Sequence, residues 1–202
     1  DQRLGKALQT GDRLAALERE WNAIKKEVFS YSAAQSFERH TALVAGLVDL
    51  IVYVADTSSL ILDPELDSYY LMDLMVARLP ALTEAMGQSR AIASGVAARG
   101  EFTPQTWAQL AIRLDRIRVA EDGMTHNIET VLRENPVLAA ALDRPGAEAS
   151  RAVADYTILL DRMLDSDRVE IGADEIFALS TGAIEAVFAM FDVVVPTLDR
   201  PL

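Results

Sequence analysis

The chain has 202 residues, half of them apolar, which is enough to bury an ample core as one domain or two small ones. Nineteen Lys and Arg stand against 31 Asp and Glu, and a net charge of -12 repels nucleic-acid phosphates and anionic membrane surfaces alike. No cysteine is present, which excludes disulfides, thiolate metal sites and cysteine nucleophiles.

Taken in order, Leu14, Leu17, Trp21, Ile24, Val28 and Tyr31 alternate spacings of three and four, the seam of a first helix packed nearly parallel to its neighbours. A turn is expected at Ser32 to Ser36. A second helix, from about Phe37 to Ser59, is apolar on nearly every face in its middle, so it is expected to be buried on most sides. Its best apolar run, Ala42 to Ala55, contains Asp49 and falls short of the roughly 18 apolar residues that cross a bilayer. With no initiator Met, and ending at Pro201-Leu202 just after an apolar run, the chain reads as a soluble excised fragment.

The hairpin TSSLILDPELD, Thr57 to Asp67, leads into a third helix, with Asp63 as side-chain cap and Pro64 at its first position. This helix extends to about Ala98 with Met72, Met75, Leu79, Leu82 and Met86 as its seam, and Pro80 should bend it. Thr103-Pro104 repeats the cap-then-proline signal, and Trp107, Leu110, Leu114, Ile117, Glu121, Met124, Ile128 and Val131 form the seam of a fourth helix ended by Asn135-Pro136. Val137 to Leu142 is a weaker apolar patch before Arg144-Pro145-Gly146. A fifth helix carries Val153, Tyr156, Leu160 and Met163. After a polar loop at Asp165 to Gly172, a sixth carries Phe177, Ser180, Ile184, Val187, Phe191, Val194 and Leu198, with Pro196 near its end.

Six rods joined by short links predict an all-α, up-and-down antiparallel bundle over residues 1–202, as a single module or as two stacked modules sharing the long helices. An even number of passes places both termini at one end, the geometry of a domain inserted between two transmembrane helices.

Chemistry-bearing motifs are sparse. His40 and His126 are the two histidines and neither sits in a Glu-x-x-His pair, so no metal and no cofactor is expected. The stretches beginning at Asp63 and Asp165 resemble calcium loops but fail at the sixth and twelfth places, where Ser68 and Leu74, then Glu170 and Ile176, stand. Neither a phosphate-cradling glycine loop nor a serine elbow is present, so the chain is not read as an enzyme.

Folding the hairpin about Ile61-Leu62 brings Asp56 level with Asp67, Tyr53 with Tyr70, and Asp49 with Asp73, crowding carboxylates at one end. Arg78, Arg113, Arg116 and Arg118 are the cations at hand. Two readings are open. Asp63 is a cap, Asp67 is solvated, and Asp49 and Asp73 make interhelical salt bridges. Alternatively, Tyr69, Tyr70, Asp73 and Arg78, with Trp107, line a ligand pocket in which the tyrosines supply flat apolar walls and the charged pair orients a small molecule. Glu121 has the same two readings, a salt bridge or a ligand contact.

The segment LILDPELDSYYLMDLMVARLP resembles one that recurs in all-helical extracytoplasmic sensor domains of bacterial transmembrane receptors, chiefly sensor histidine kinases and chemotaxis receptors. Looser similarity extends to SFERHTALVAGLVDLI and STGAIEAVFAMFDVVVPTLDRPL. The resemblance implies a periplasmic, homodimeric module at the inner membrane, flanked by transmembrane helices. Such a module has no catalysis of its own and passes a small-molecule binding signal along its final helix to a separate cytoplasmic kinase domain or a chemoreceptor output. A soluble helical-bundle scaffold is the alternative from another class.

Overall fold

The computed structural model describes residues 2–62, 64–166 and 169–198, and among these every regular element is helical. The chain divides into two compact units, Asp1–Asp63 and Pro64–Leu202. Asp63, the predicted cap, lies outside the described residues.

The first unit holds α1 (Gln2–Ala7), α2 (Gly11–Glu27), a 3-10 turn at Val28–Ser30, α3 (Ala33–Thr57) and a 3-10 turn at Leu60–Leu62. The break before α3 is set by Ser32. Its hydroxyl accepts the Gln35 N–H at 3.2 Å while the Gln35 side chain accepts the Ser32 N–H at 2.9 Å, a reciprocal capping box. Helices α2 and α3 pack together, and Gly46 makes room for this, since a Cβ there would lie 2.7 Å from Leu17 Cδ2. Arg39 pairs with Glu20 at 2.7 Å, and the Arg13 guanidinium lies 4.0 Å from the Tyr53 ring centroid.

Burial in this unit differs from the sequence expectation. Of α3 only Leu43 and Ala55 are buried, and of α2 only Ile24; Leu14 and Trp21 are exposed. One helix can cover only one side of another, so the apolar middle of α3 is not enclosed on most sides. No uninterrupted apolar run reaches bilayer length, yet α3 and α8 (Ala173–Leu198) both pass the test by average. Each has an 18-residue window of mean hydropathy of at least 1.2 with no more than two charges.

The second unit contains α4 (Leu66–Asp73), a π-helical turn at Leu74–Arg78, α5 (Leu79–Arg99), α6 (Pro104–Glu134), a 3-10 turn at Pro136–Leu138, α7 (Ala139–Asp165) and α8. Helix α5 packs against α6 and α8, and α7 against the same two, which closes a four-membered ring around one core. Leu74, Leu79, Leu82, Met86, Leu110, Ile117, Met124, Leu142, Leu160, Ile176 and Val187 are fully buried in it. With α2 and α3, and with α4 and α5 as one rod, the chain has six long rods in an all-α bundle.

Several boundaries move. Pro64 lies outside α4 rather than at its first position: Glu65 takes the extended N-cap conformation, φ -82° and ψ 133°, so the helix begins at Leu66. The predicted bend at Pro80 is realised just upstream, as the wide turn at Leu74–Arg78. Proline offers no N–H and its ring would meet the carbonyl four residues back, and opening the preceding turn relieves that crowding. Pro145 does not end a short helix; α7 runs through it. The neighbouring Gly146 lets α6 come close, since a Cβ there would sit 3.2 Å from Ile128 Cδ1. In α8 the buried seam is Ile176, Ser180, Ala183, Val187, Met190, Val194 and Thr197, so Phe177 is exposed and not part of it.

Candidate functional site

The wide turn gathers four of the five expected pocket residues into one neighbourhood. Tyr69 and Tyr70 meet edge to face at 5.4 Å at the end of α4. Arg78 Nε donates to Asp73 Oδ2 at 2.8 Å. Five residues separate the partners, so in an α-helix they would point about 140° apart; the wider π turn brings them onto one face. Helix α6 completes the cluster. Asn127 Nδ2 donates to the same Asp73 oxygen at 2.7 Å and to the Tyr70 carbonyl at 3.3 Å. The His126 ring stands edge-on to Tyr70 at 5.7 Å, and Gly123 leaves the space Arg78 occupies, since a Cβ would lie 3.0 Å from Arg78 Cδ. Asp73 is 19% and Arg78 43% exposed at the side chain, so this half-buried pair is already neutralised from within.

Trp107 does not join them. It lies 20 residues before Asn127 on α6, roughly 30 Å along the helix, and its indole N–H donates to the Leu164 carbonyl at 3.1 Å. The other expected cations are placed elsewhere too: Arg113 Nε donates to Gln88 Oε1 at 2.9 Å, and Arg118 pairs with Asp161 on α7. Burial and the neighbouring Arg116 lower the Arg113 pKa from its ordinary value, partly offset by Glu84, whose own pKa is pushed up by burial. Glu121 makes neither an interhelical salt bridge nor a pocket; it accepts the Thr125 hydroxyl at 3.2 Å. Thr103 caps α6 by accepting the Thr106 N–H at 3.1 Å. His40 turns Nδ1 toward the Ser36 carbonyl at 2.7 Å, and no metal-binding cluster exists among the described residues.

A residue the sequence reading passed over, Arg90 of α5, stands out electrostatically. Its Nη1 donates to Thr181 Oγ1 at 2.9 Å and its guanidinium lies 4.7 Å from the Phe177 ring centroid, both on α8. No carboxylate pairs with it among the described residues. Its neighbour Ser89 shares a 2.8 Å hydrogen bond with Tyr156 of α7, whose pKa burial pushes up to about 12. One turn on from Arg90, on the same side of α5, the Ser94 hydroxyl is buried without a partner. A partly buried cation without a counter-ion, beside unspent hydroxyl donors, is what a small oxyanion requires. The signal in the sequence was faint: an Arg-x3-Ser spacing amid small residues, with Thr181 far away in the chain.

The open groove of about 720 Å³ between the end of α7 and the start of α8 has the opposite character. Asp155, Glu170 and Glu175 line it against Arg162 alone, which disfavours an anion.

No match was found among curated proteins or among solved structures. The family model for nitrate and nitrite sensing (NIT) matches residues 1–192, nearly the whole chain. This all-helical chain therefore belongs to the nitrate- and nitrite-sensing family, a family of extracytoplasmic sensor domains of bacterial receptors.

Proposed function

We propose that the chain is the periplasmic input domain of a transmembrane sensor histidine kinase, and that it binds nitrate or nitrite at Arg90. The observation that carries the site is the uncompensated Arg90 guanidinium, anchored to α8 through Thr181 and Phe177. Nitrate is planar with three acceptor oxygens, which the fork of N–H groups on an arginine matches in pairs. The Ser94 and Thr181 hydroxyls supply further donors.

The mechanism is a population shift. An anion on Arg90 competes with the contacts that tie α5 to α8, so it favours whichever helix arrangement leaves the guanidinium free. Because α8 is the last helix, that change passes toward the C-terminus, into a flanking transmembrane helix and a separate cytoplasmic kinase domain. The second transmembrane helix precedes residue 1, both termini face the membrane, and the domain works as a homodimer. A chemotaxis receptor would use the same input with a different output. Tyr69, Tyr70, Asp73 and Arg78 hold no ligand in this reading, because Arg78 is already spent on Asp73.

Thermal-shift titration at constant ionic strength tests the site. Nitrate at about 100 times its Kd adds about 2.7 kcal/mol of stability to a protein that binds it only when folded. Arg90→Gln is expected to lose the shift and Arg78→Ala to keep it; the reverse pattern would move the site to the wide turn.

A further inference from the structure

We infer that the wide turn at Leu74–Arg78 is one of two registers of the α4–α5 rod, held open by Asp73, Arg78 and Asn127 and able to close into an unbroken α-helix. Sequence and backbone point in different directions here. Met72, Met75, Leu79, Leu82 and Met86 keep the spacing of a continuous α-helix straight through the turn. The backbone nevertheless carries the Leu79 N–H to the Leu74 carbonyl, five residues back. An apolar seam therefore stands ready for a register that the structure does not adopt.

Four groups oppose closure. The Asp73–Arg78 pair forms only when residues five apart share a face. Asn127 grips the Asp73 carboxylate and the Tyr70 carbonyl together. Gly123 leaves a notch on α6 at the place the Arg78 side chain fills. Pro80, finally, would crowd the Val76 carbonyl in the closed form. Closing the turn rolls α5 by about 100° relative to α4, the rotation of one helical residue, and so repacks α5 against both α6 and α8. A ligand that favours either register anywhere in the second unit biases the rod, so the inference does not depend on where nitrate binds.

The natural absence of cysteine makes the test direct. Leu66→Cys and Ala81→Cys, both at exposed positions flanking the turn and roughly 22 Å apart along the rod, receive spin labels in the full chain for pulsed-dipolar distance measurement. One distance is expected in this background. Adding Asp73→Ala, and separately Pro80→Ala, is expected to bring in a second distance at unchanged helicity. A single unchanged distance in both folded variants overturns the inference. If Asp73→Ala does not fold, Pro80→Ala decides alone, because it removes a poor helix former.

Discussion

Tyr156 is 1% exposed, and its only side-chain partner is Ser89, whose hydroxyl also reaches the Met86 carbonyl at 2.8 Å. Its folded-state pKa of about 12 lies above the ordinary 10, so between these values the unfolded chain has released the proton that the folded chain keeps. Stability must fall as pH rises through that window. Tyr156→Phe is expected to flatten this alkaline loss and to cost about 1 kcal/mol at pH 7, read by urea unfolding at both pH values. Glu84 gives a second pH signature. Burial raises its pKa, which means its charged form is disfavoured in the fold and stability declines as pH climbs out of the ordinary carboxylate range. Glu84→Gln is expected to raise Tm at pH 7 and to lose that advantage in acid. Asn127 is different again, because it satisfies two acceptors at once. Asn127→Ala is expected to cost about 2 kcal/mol, since a buried carbonyl and a carboxylate both lose a donor.

At the scale of the element, three-four spacing was enough to find all six rods, because a helix that buries one stripe must repeat apolar residues at that interval. The same criterion was blind to the wide turn, where the spacing of Met72, Met75 and Leu79 continues while the backbone does not. It also misjudged α3, whose apolar surround implied enclosure that the helices packed on it do not provide. The start of α3 was legible and overlooked: Ser32 followed three residues later by Gln35 is a capping-box spacing. Pro145 misled in the other direction, because proline near a helix start is tolerated when the neighbouring glycine packs closely on the next helix. Of the pocket residues, Tyr69, Tyr70, Asp73 and Arg78 were findable because they are near in sequence, while Asn127 and Arg90 depend on contacts that no local pattern encodes. Caps carry their own test. Thr103→Ala removes the bond to the Thr106 N–H and is expected to cost about 1 kcal/mol, measured by thermal unfolding.

For the molecule as a whole, charge separates the possible binding places. A protein of net charge -12 attracts a small anion only where local cations outweigh that background, and Arg90 without a carboxylate partner meets the condition. The Arg78 cluster is neutral and the groove near Glu170 is acidic, so neither suits nitrate. The same background makes the site sensitive to salt, and added chloride is expected to weaken nitrate binding through screening and competition. Calorimetric titration of the 202-residue chain with sodium nitrate, at fixed ionic strength, tests the central claim most directly. The account predicts saturable binding at one site per chain that Arg90→Gln abolishes while the variant stays folded. Absence of binding by nitrate and nitrite alike, or undiminished binding by the folded variant, would contradict it.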